Sequence, residues 1–157
     1  MKIELLVIGK TDSKIMKEGF EIYEKRLVHY IPFKMNIIPD IKNVKNMSVE
    51  QQKEKEGVEI LKRMENSDVV VLLDENGKEF SSAGFSDFIQ KKTITGIKKL
   101  IFVIGGPYGF SQDVYQRSNS KLSLSKMTYS HQMVRMIFAE QLYRGMTIIK
   151  GEPYHHE

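Results

Sequence analysis

The chain contains no cysteine. Disulfides and thiolate chemistry are therefore excluded, and a reducing compartment fits the composition. No apolar run approaches the roughly 20 residues of a membrane-spanning helix. The opening residues carry one lysine and then Ile3 to Ile8 interrupted by Glu4. They are too short and too charged for a signal peptide and read as a first strand, so a cytoplasmic protein is expected. The histidines His29, His131, His155 and His156 show no zinc spacing, and no metal site is expected. A Gly-x-Ser-x-Gly elbow is missing, which leaves a serine hydrolase unsupported. The dinucleotide fingerprint and the Walker ending Gly-Lys-Ser/Thr are also missing. No repeat, low-complexity tract or linker divides the 157 residues, the length of one domain.

What remains is an ordinary globular composition, 41% apolar and 28% charged, with enough chain to bury a sizeable core. The net charge of +4 is modest but unevenly placed. Residues 41–68 balance six basic against six acidic side chains. Residues 111–150 carry Arg117, Lys121, Lys126, Arg135, Arg144 and Lys150 against only Asp113 and Glu140. A solvated basic face and an anionic partner, nucleic acid included, both fit that excess.

Hydrophobic periodicity predicts strands at 2–9, 33–38, 69–73 and 100–104, and another beginning at Leu122. The runs at 69–73 and 100–104 are apolar throughout, the mark of strands buried on both faces. Helices are predicted between them. One is capped by Thr11, Asp12 or Ser13, with Met16, Phe20, Tyr23, Leu27 and Tyr30 inward. A second, from Ser48 to Met64, buries Val58, Leu61 and Met64 and covers one edge of the sheet. A third is capped by Ser81 or Ser82, with Phe85, Phe88 and Ile89 inward, and a short one spans 112–117. The alternation argues an α/β domain with a mainly parallel sheet. Asp74-Glu75-Asn76-Gly77 reads as a turn.

The stretch 122–135 organises the rest. Leu122 and Leu124 alternate with Ser123 and Ser125 as a strand, a polar loop follows, and Thr128 or Ser130 caps a long helix. That helix is apolar around much of its circumference, through Met133, Met136, Ile137, Phe138, Leu142, Tyr143 and Met146. Burial in its own core and a homodimer interface both account for the extra face. In parallel sheets ligands bind beyond the carboxyl ends of the strands. Three unusual loops meet that condition, at 73–77, 105–109 and 124–130, and they are expected to form one pocket. The Gly105-Gly106-Pro107-Tyr108-Gly109 loop would let backbone approach a ligand closely. The tail, ending Pro153-Tyr154-His155-His156-Glu157, reads as a frayed terminus, yet Tyr and His suit proton transfer near neutral pH.

Taken together, several spaced motifs resemble the RlmH family, the ribosomal large-subunit pseudouridine N3-methyltransferases of the SPOUT superfamily. They are Leu73-Asp74-x-x-Gly77-Lys78-x-x-Ser81-Ser82, Phe102-Val103-Ile104-Gly105-Gly106-Pro107-x-Gly109 and Leu122-Ser123-Leu124-Ser125-Lys126-Met127-Thr128. His131-Gln132-x-x-Arg135, Glu140-Gln141-Leu142-Tyr143-Arg144 and Tyr154-His155 complete the set. The resemblance spans the chain, 1–157, as a single SPOUT domain. It implies a C-terminal trefoil knot, a homodimer and S-adenosylmethionine as methyl donor. The implied acceptor is a pseudouridine in helix 69 of 23S rRNA, with the assembled ribosome as substrate. The family's cofactor contacts carry over to Leu73, Gly105, Leu124, Ser125, Lys126, Met127, Thr128 and Tyr129. Two positions depart from the family: Ala83, where a glutamate is frequent, and His156, where lysine or arginine is frequent.

Methyl transfer to N3 of pseudouridine requires loss of the proton on that nitrogen, an aligned lone pair and stabilised charge. His155 is the expected general base, Tyr154 positions or stacks on the target base, and Arg144 or Arg135 holds an oxyanion or a phosphate. A tail that only grips RNA is the competing expectation. A non-catalytic RNA-binding module and a SPOUT enzyme acting on tRNA are the alternative functions.

Overall fold

The computed structural model describes residues 1–156. Five strands, β1 (Lys2–Ile8), β2 (Phe33–Ile38), β3 (Val69–Glu79), β4 (Lys99–Ile104) and β5 (Ser120–Ser123), form one sheet in the order β2-β1-β4-β3-β5. Every neighbouring pair is parallel. The helices are α1 (Lys14–Leu27), α2 (Val49–Leu61), α3 (Ser82–Ile94), α4 (Gln112–Arg117) and α5 (His131–Lys150).

The period-2 alternation of the strands sorts their side chains into two cores. Ile3, Leu5, Val7, Val71, Leu100 and Phe102 meet α1, α3 and α5 on one face. Leu6, Val70, Leu72, Ile101 and Val103 meet Ile60 of α2 and Val114 of α4 on the other. Phe102 and Phe138 of α5 pack with ring centroids 4.7 Å apart at the centre of the first core. Parallel strands covered on both faces have no wet side, which is why the central runs are apolar throughout.

Serine caps open the major helices after β1, β2, β3 and β5. Ser13, Ser48, Ser81 and Ser130 each accept a backbone N–H three residues on. Ser130, not Thr128, starts α5. Three expectations are corrected. First, Val58 is 52% exposed, whereas Glu56, Gly57 and Ile60 turn inward. Helix α2 therefore lies across a face of the sheet, where Gly57 lets it approach Ser111 and Val114. Second, residues 74–77 do not end β3. They bulge out of the ladder, and Leu122 pairs with Leu73 before the bulge and with Lys78 after it. Gly77 sits against the backbone of Leu122, where a Cβ would come within 2.6 Å of its nitrogen. Third, Ser123 is buried together with Leu122, and Ile148 and Ile149 belong to α5 instead of following it.

Candidate active site

The bulge within β3 and the carboxyl ends of β4 and β5 open into a single cleft of about 450 Å³. All three segments expected from the sequence contribute to it, although the first is a bulge and not a strand-end loop. Leu73, Ile104, Phe110, Leu124 and Val134 supply apolar walls, and Gly105, Gly106, Gly109, Ser123, Ser125 and Thr128 line it beside them. Ser123 Oγ donates to the Ser125 carbonyl, and Ser125 Oγ accepts from the Met127 N–H. These local bonds shape the loop. A smaller pocket of about 140 Å³ adjoins it, sharing Ser123, Leu124 and Tyr129 and reaching Phe85, Ile137 and Gln141.

The glycine loop is shaped by what lies behind it. A Cβ on Gly105 would come within 2.9 Å of the Phe110 ring, and one on Gly106 would fall on the Glu56 carboxylate. Gly109 has φ +82°, a conformation that L side chains rarely adopt, and its N–H donates to the Gly106 carbonyl at 3.2 Å. Glycine is thus required here by packing and by backbone conformation together.

Of the eight residues carried over to this cleft, Leu73, Gly105, Leu124, Ser125, Met127, Thr128 and Tyr129 line it. The Lys126 side chain is 84% exposed and makes a 3.8 Å ion pair with Glu79. Six lining residues lie outside the three segments read from the sequence: Ile104, Phe110, Tyr115, Ser123, His131 and Val134. The Tyr115 hydroxyl donates to Asp74 Oδ2 at 2.5 Å, and burial followed by that carboxylate pushes its pKa up to about 12. The bulge holds Asp74 in place, because Asp74 Oδ1 accepts from the Asn76 N–H. Asp74 and Glu75 do not assemble a metal site with any neighbour among the described residues.

The second cluster lies near the other end of α5. Arg144 bonds Glu140 Oε1 through Nε at 3.0 Å and also through Nη2, and its guanidinium stands over the Tyr154 ring at 4.8 Å. The Tyr154 hydroxyl donates to Glu140 Oε1, and its ring meets Tyr143 edge-on at 4.7 Å. Burial, then a hydrogen bond with Tyr23, raises the Tyr154 pKa; the Glu140 bond raises that of Arg144. Arg144 Nη1 lies 3.3 Å from His155 Nδ1. A guanidinium only donates, so Nδ1 is the acceptor and a neutral His155 carries its proton on Nε2.

The structure therefore unites Arg144, Tyr154 and His155, and separates them from the cleft. Val134, the last residue of α5 on the cleft, and Arg144 are ten positions apart, about 15 Å at 1.5 Å per residue. Arg135 belongs to neither group. It is 2% exposed, donates to the Ile8 carbonyl and to Thr11 Oγ1, and burial lowers its pKa. It clamps the end of β1 to α5, so it neither faces solvent nor joins the candidate oxyanion site.

Comparison with known proteins agrees with this architecture along its whole length. A family model described as "Predicted SPOUT methyltransferase" matches residues 1–155. A protein of Christiangramia forsetii named ribosomal RNA large subunit methyltransferase H is 63% identical over 156 residues, 99% of each chain. Proteins of the same name from Parabacteroides distasonis and Flavobacterium johnsoniae are 61% and 59% identical over 157 residues, all of each chain. An all-parallel sheet with its cleft at the strand ends, a full-length family match and relatives of this similarity lead to one assignment: the chain belongs to the SPOUT methyltransferase family, among the RlmH proteins.

Proposed function

We propose that this methyltransferase transfers a methyl group from S-adenosylmethionine to N3 of a pseudouridine in helix 69 of 23S rRNA, on the assembled ribosome. The observation that carries the reading is the convergence of the β3 bulge and the loops after β4 and β5 on one cleft of about 450 Å³. That volume lies in the range of small-molecule sites. The residues fit the donor: apolar walls for adenine and the methionyl chain, and backbone groups of 105–109 and 124–129 for its polar edges. Leu73, Gly105, Leu124, Ser125, Met127, Thr128 and Tyr129 hold it, with Lys126 contributing backbone. When bound, the donor supplies an electrophilic methyl on a positively charged sulfur that departs as a neutral thioether.

The chain's own residues prepare the acceptor. The proton on N3 passes to His155, Tyr154 orients the target base, and Arg144 stabilises negative charge on the adjoining carbonyl oxygens. In the structure Arg144 occupies His155 Nδ1, the lone pair that would take the proton. Proton transfer thus requires Arg144 to turn from His155 toward the substrate, which couples RNA binding to activation of the base.

The separation of about 15 Å along α5 argues that a second copy completes each site. Met133 on α5 and Ile15 and Ile22 on α1 are exposed, and Gly19 of α1 sits against Met136, so these helices offer a continuous apolar strip. We therefore include a homodimer, in which one subunit's tail meets its partner's cleft. The trefoil knot implied by the resemblance also belongs to this proposal. Its support is that α5 packs on the face opposite α4, although β5 adjoins only β3.

The test is transfer of labelled methyl from S-adenosylmethionine to ribosomes lacking the modification, beside free rRNA and tRNA. Label on the large-subunit pseudouridine alone is the expected result. Label on tRNA, or none on any RNA despite donor binding, would refute the acceptor.

A further inference from the structure

Three acids are buried among the described residues, Glu4, Glu56 and Asp68, and Glu56 is the one without a salt bridge. It is 3% exposed, in the middle of α2, directly behind Gly106 of the cleft wall. Its carboxylate sits where a Cβ on Gly106 would be, so only the thickness of that glycine separates it from the cleft. Gln52 donates to Oε1 at 3.1 Å, and no donor among the described residues reaches Oε2. No salt bridge among the described residues compensates it. A carboxyl taken out of water without a cation is costly to ionise. Burial accordingly pushes its pKa up, opposed by the Gln52 hydrogen bond and by His131 at the start of α5, while Asp40 beyond β2 adds to the rise. His131 and Asp40 are the charged groups that act on it. His131 itself lines the cleft, which places the carboxyl within electrostatic reach of the cleft's contents.

We propose that Glu56 determines the charge specificity of the cleft: through the Gly106 backbone it presents a negative charge that favours a sulfonium over the neutral thioether. The inference rests on the cofactor reading above and adds to it. A cation seated in front of Gly106 supplies the counter-charge that the protein withholds. Loss of the methyl removes that positive charge, so the same residue weakens retention of the product. Unit charges several ångströms apart inside a protein change affinity on the order of tenfold or more. The geometry also explains why position 106 is glycine: any side chain would displace the carboxylate from the wall.

Calorimetric binding of S-adenosylmethionine and S-adenosylhomocysteine to the wild-type chain and to Glu56→Gln tests this. Glutamine keeps the shape and the contact with Gln52 while removing the charge. The expected result is at least tenfold weaker binding of the sulfonium and less than threefold change for the thioether, whose binding also reports that the variant is folded. In the wild type the preference for the sulfonium shrinks as pH falls and Glu56 gains its proton; in Glu56→Gln it is flat. Equal weakening of both ligands would make Glu56 a brace of the glycine loop and overturn the proposal. A pH dependence that persists in Glu56→Gln would assign the effect to His131 and overturn it too. If the wild type binds neither ligand, the cofactor reading itself fails.

Discussion

The cleft and the tail cluster are built from opposite materials. The cleft depends on its backbone at two places: glycines whose missing Cβ makes room for Phe110 and Glu56, and a hydroxyl-rich loop folded on its own local bonds. The tail cluster is side chains throughout, with Arg144, Glu140, Tyr154 and His155 tied into one network. A backbone site tolerates changes to exposed side chains and rejects added carbon. A side-chain site behaves in the reverse way. Binding and proton transfer are therefore expected to fail separately.

The sharpest test of that division is His155→Ala. Turnover should fall about 10²- to 10⁴-fold, as for loss of a general base, while donor affinity stays within twofold. Near-normal turnover at saturating RNA would reduce the tail to an RNA grip. At the cleft, Gly105→Ala presses a methyl into the Phe110 ring and should weaken donor binding roughly tenfold, with overpacking of about 1–3 kcal/mol seen in thermal unfolding. Mixing the two variants, at a donor concentration too low to load Gly105→Ala, tests whether the regions meet across a dimer. Random exchange should restore about a quarter of wild-type activity, since half the dimers then carry one intact site of two. No recovery would mean that each chain supplies both halves of its own site.

Smaller effects refine the picture of the cleft wall. Tyr115→Phe removes the bond to Asp74 and should cost about 1 kcal/mol by denaturant unfolding near neutral pH. The folded state raises the Tyr115 pKa to about 12, so its contribution is complete below the unfolded value of about 10 and disappears as pH climbs through 12. Wild type and variant should converge there. Least of all, Lys126→Ala should leave donor affinity within twofold and stability within about 0.5 kcal/mol, because its side chain is solvated and its ion pair is long.

Helix α2 shows how burial escapes a periodicity argument. Val58 is the more hydrophobic-looking choice, yet Glu56, Gly57 and Ile60 face the sheet. A glycine inside a helix next to an acid was the available sign of close approach, and it outweighed the apolar pattern. The segment 74–77 has turn chemistry, but the strand resumes after it because β5 offers Lys78 and Glu79 a ladder. Tyr115 and Asp74 are 41 positions apart, so nothing local linked them.

The order of strands and helices, the caps, the apolar central strands and the three segments that line the cleft were all legible in the linear chain. Each follows from short-range rules: period, capping and the demands of a sheet covered on both faces. Which buried acid stands behind which glycine depended on how α2 packs against the loop after β4. The separation of the tail from the cleft depended on the length and direction of α5. Contacts between segments distant in sequence are set by packing of whole elements, and local pattern carries no record of them.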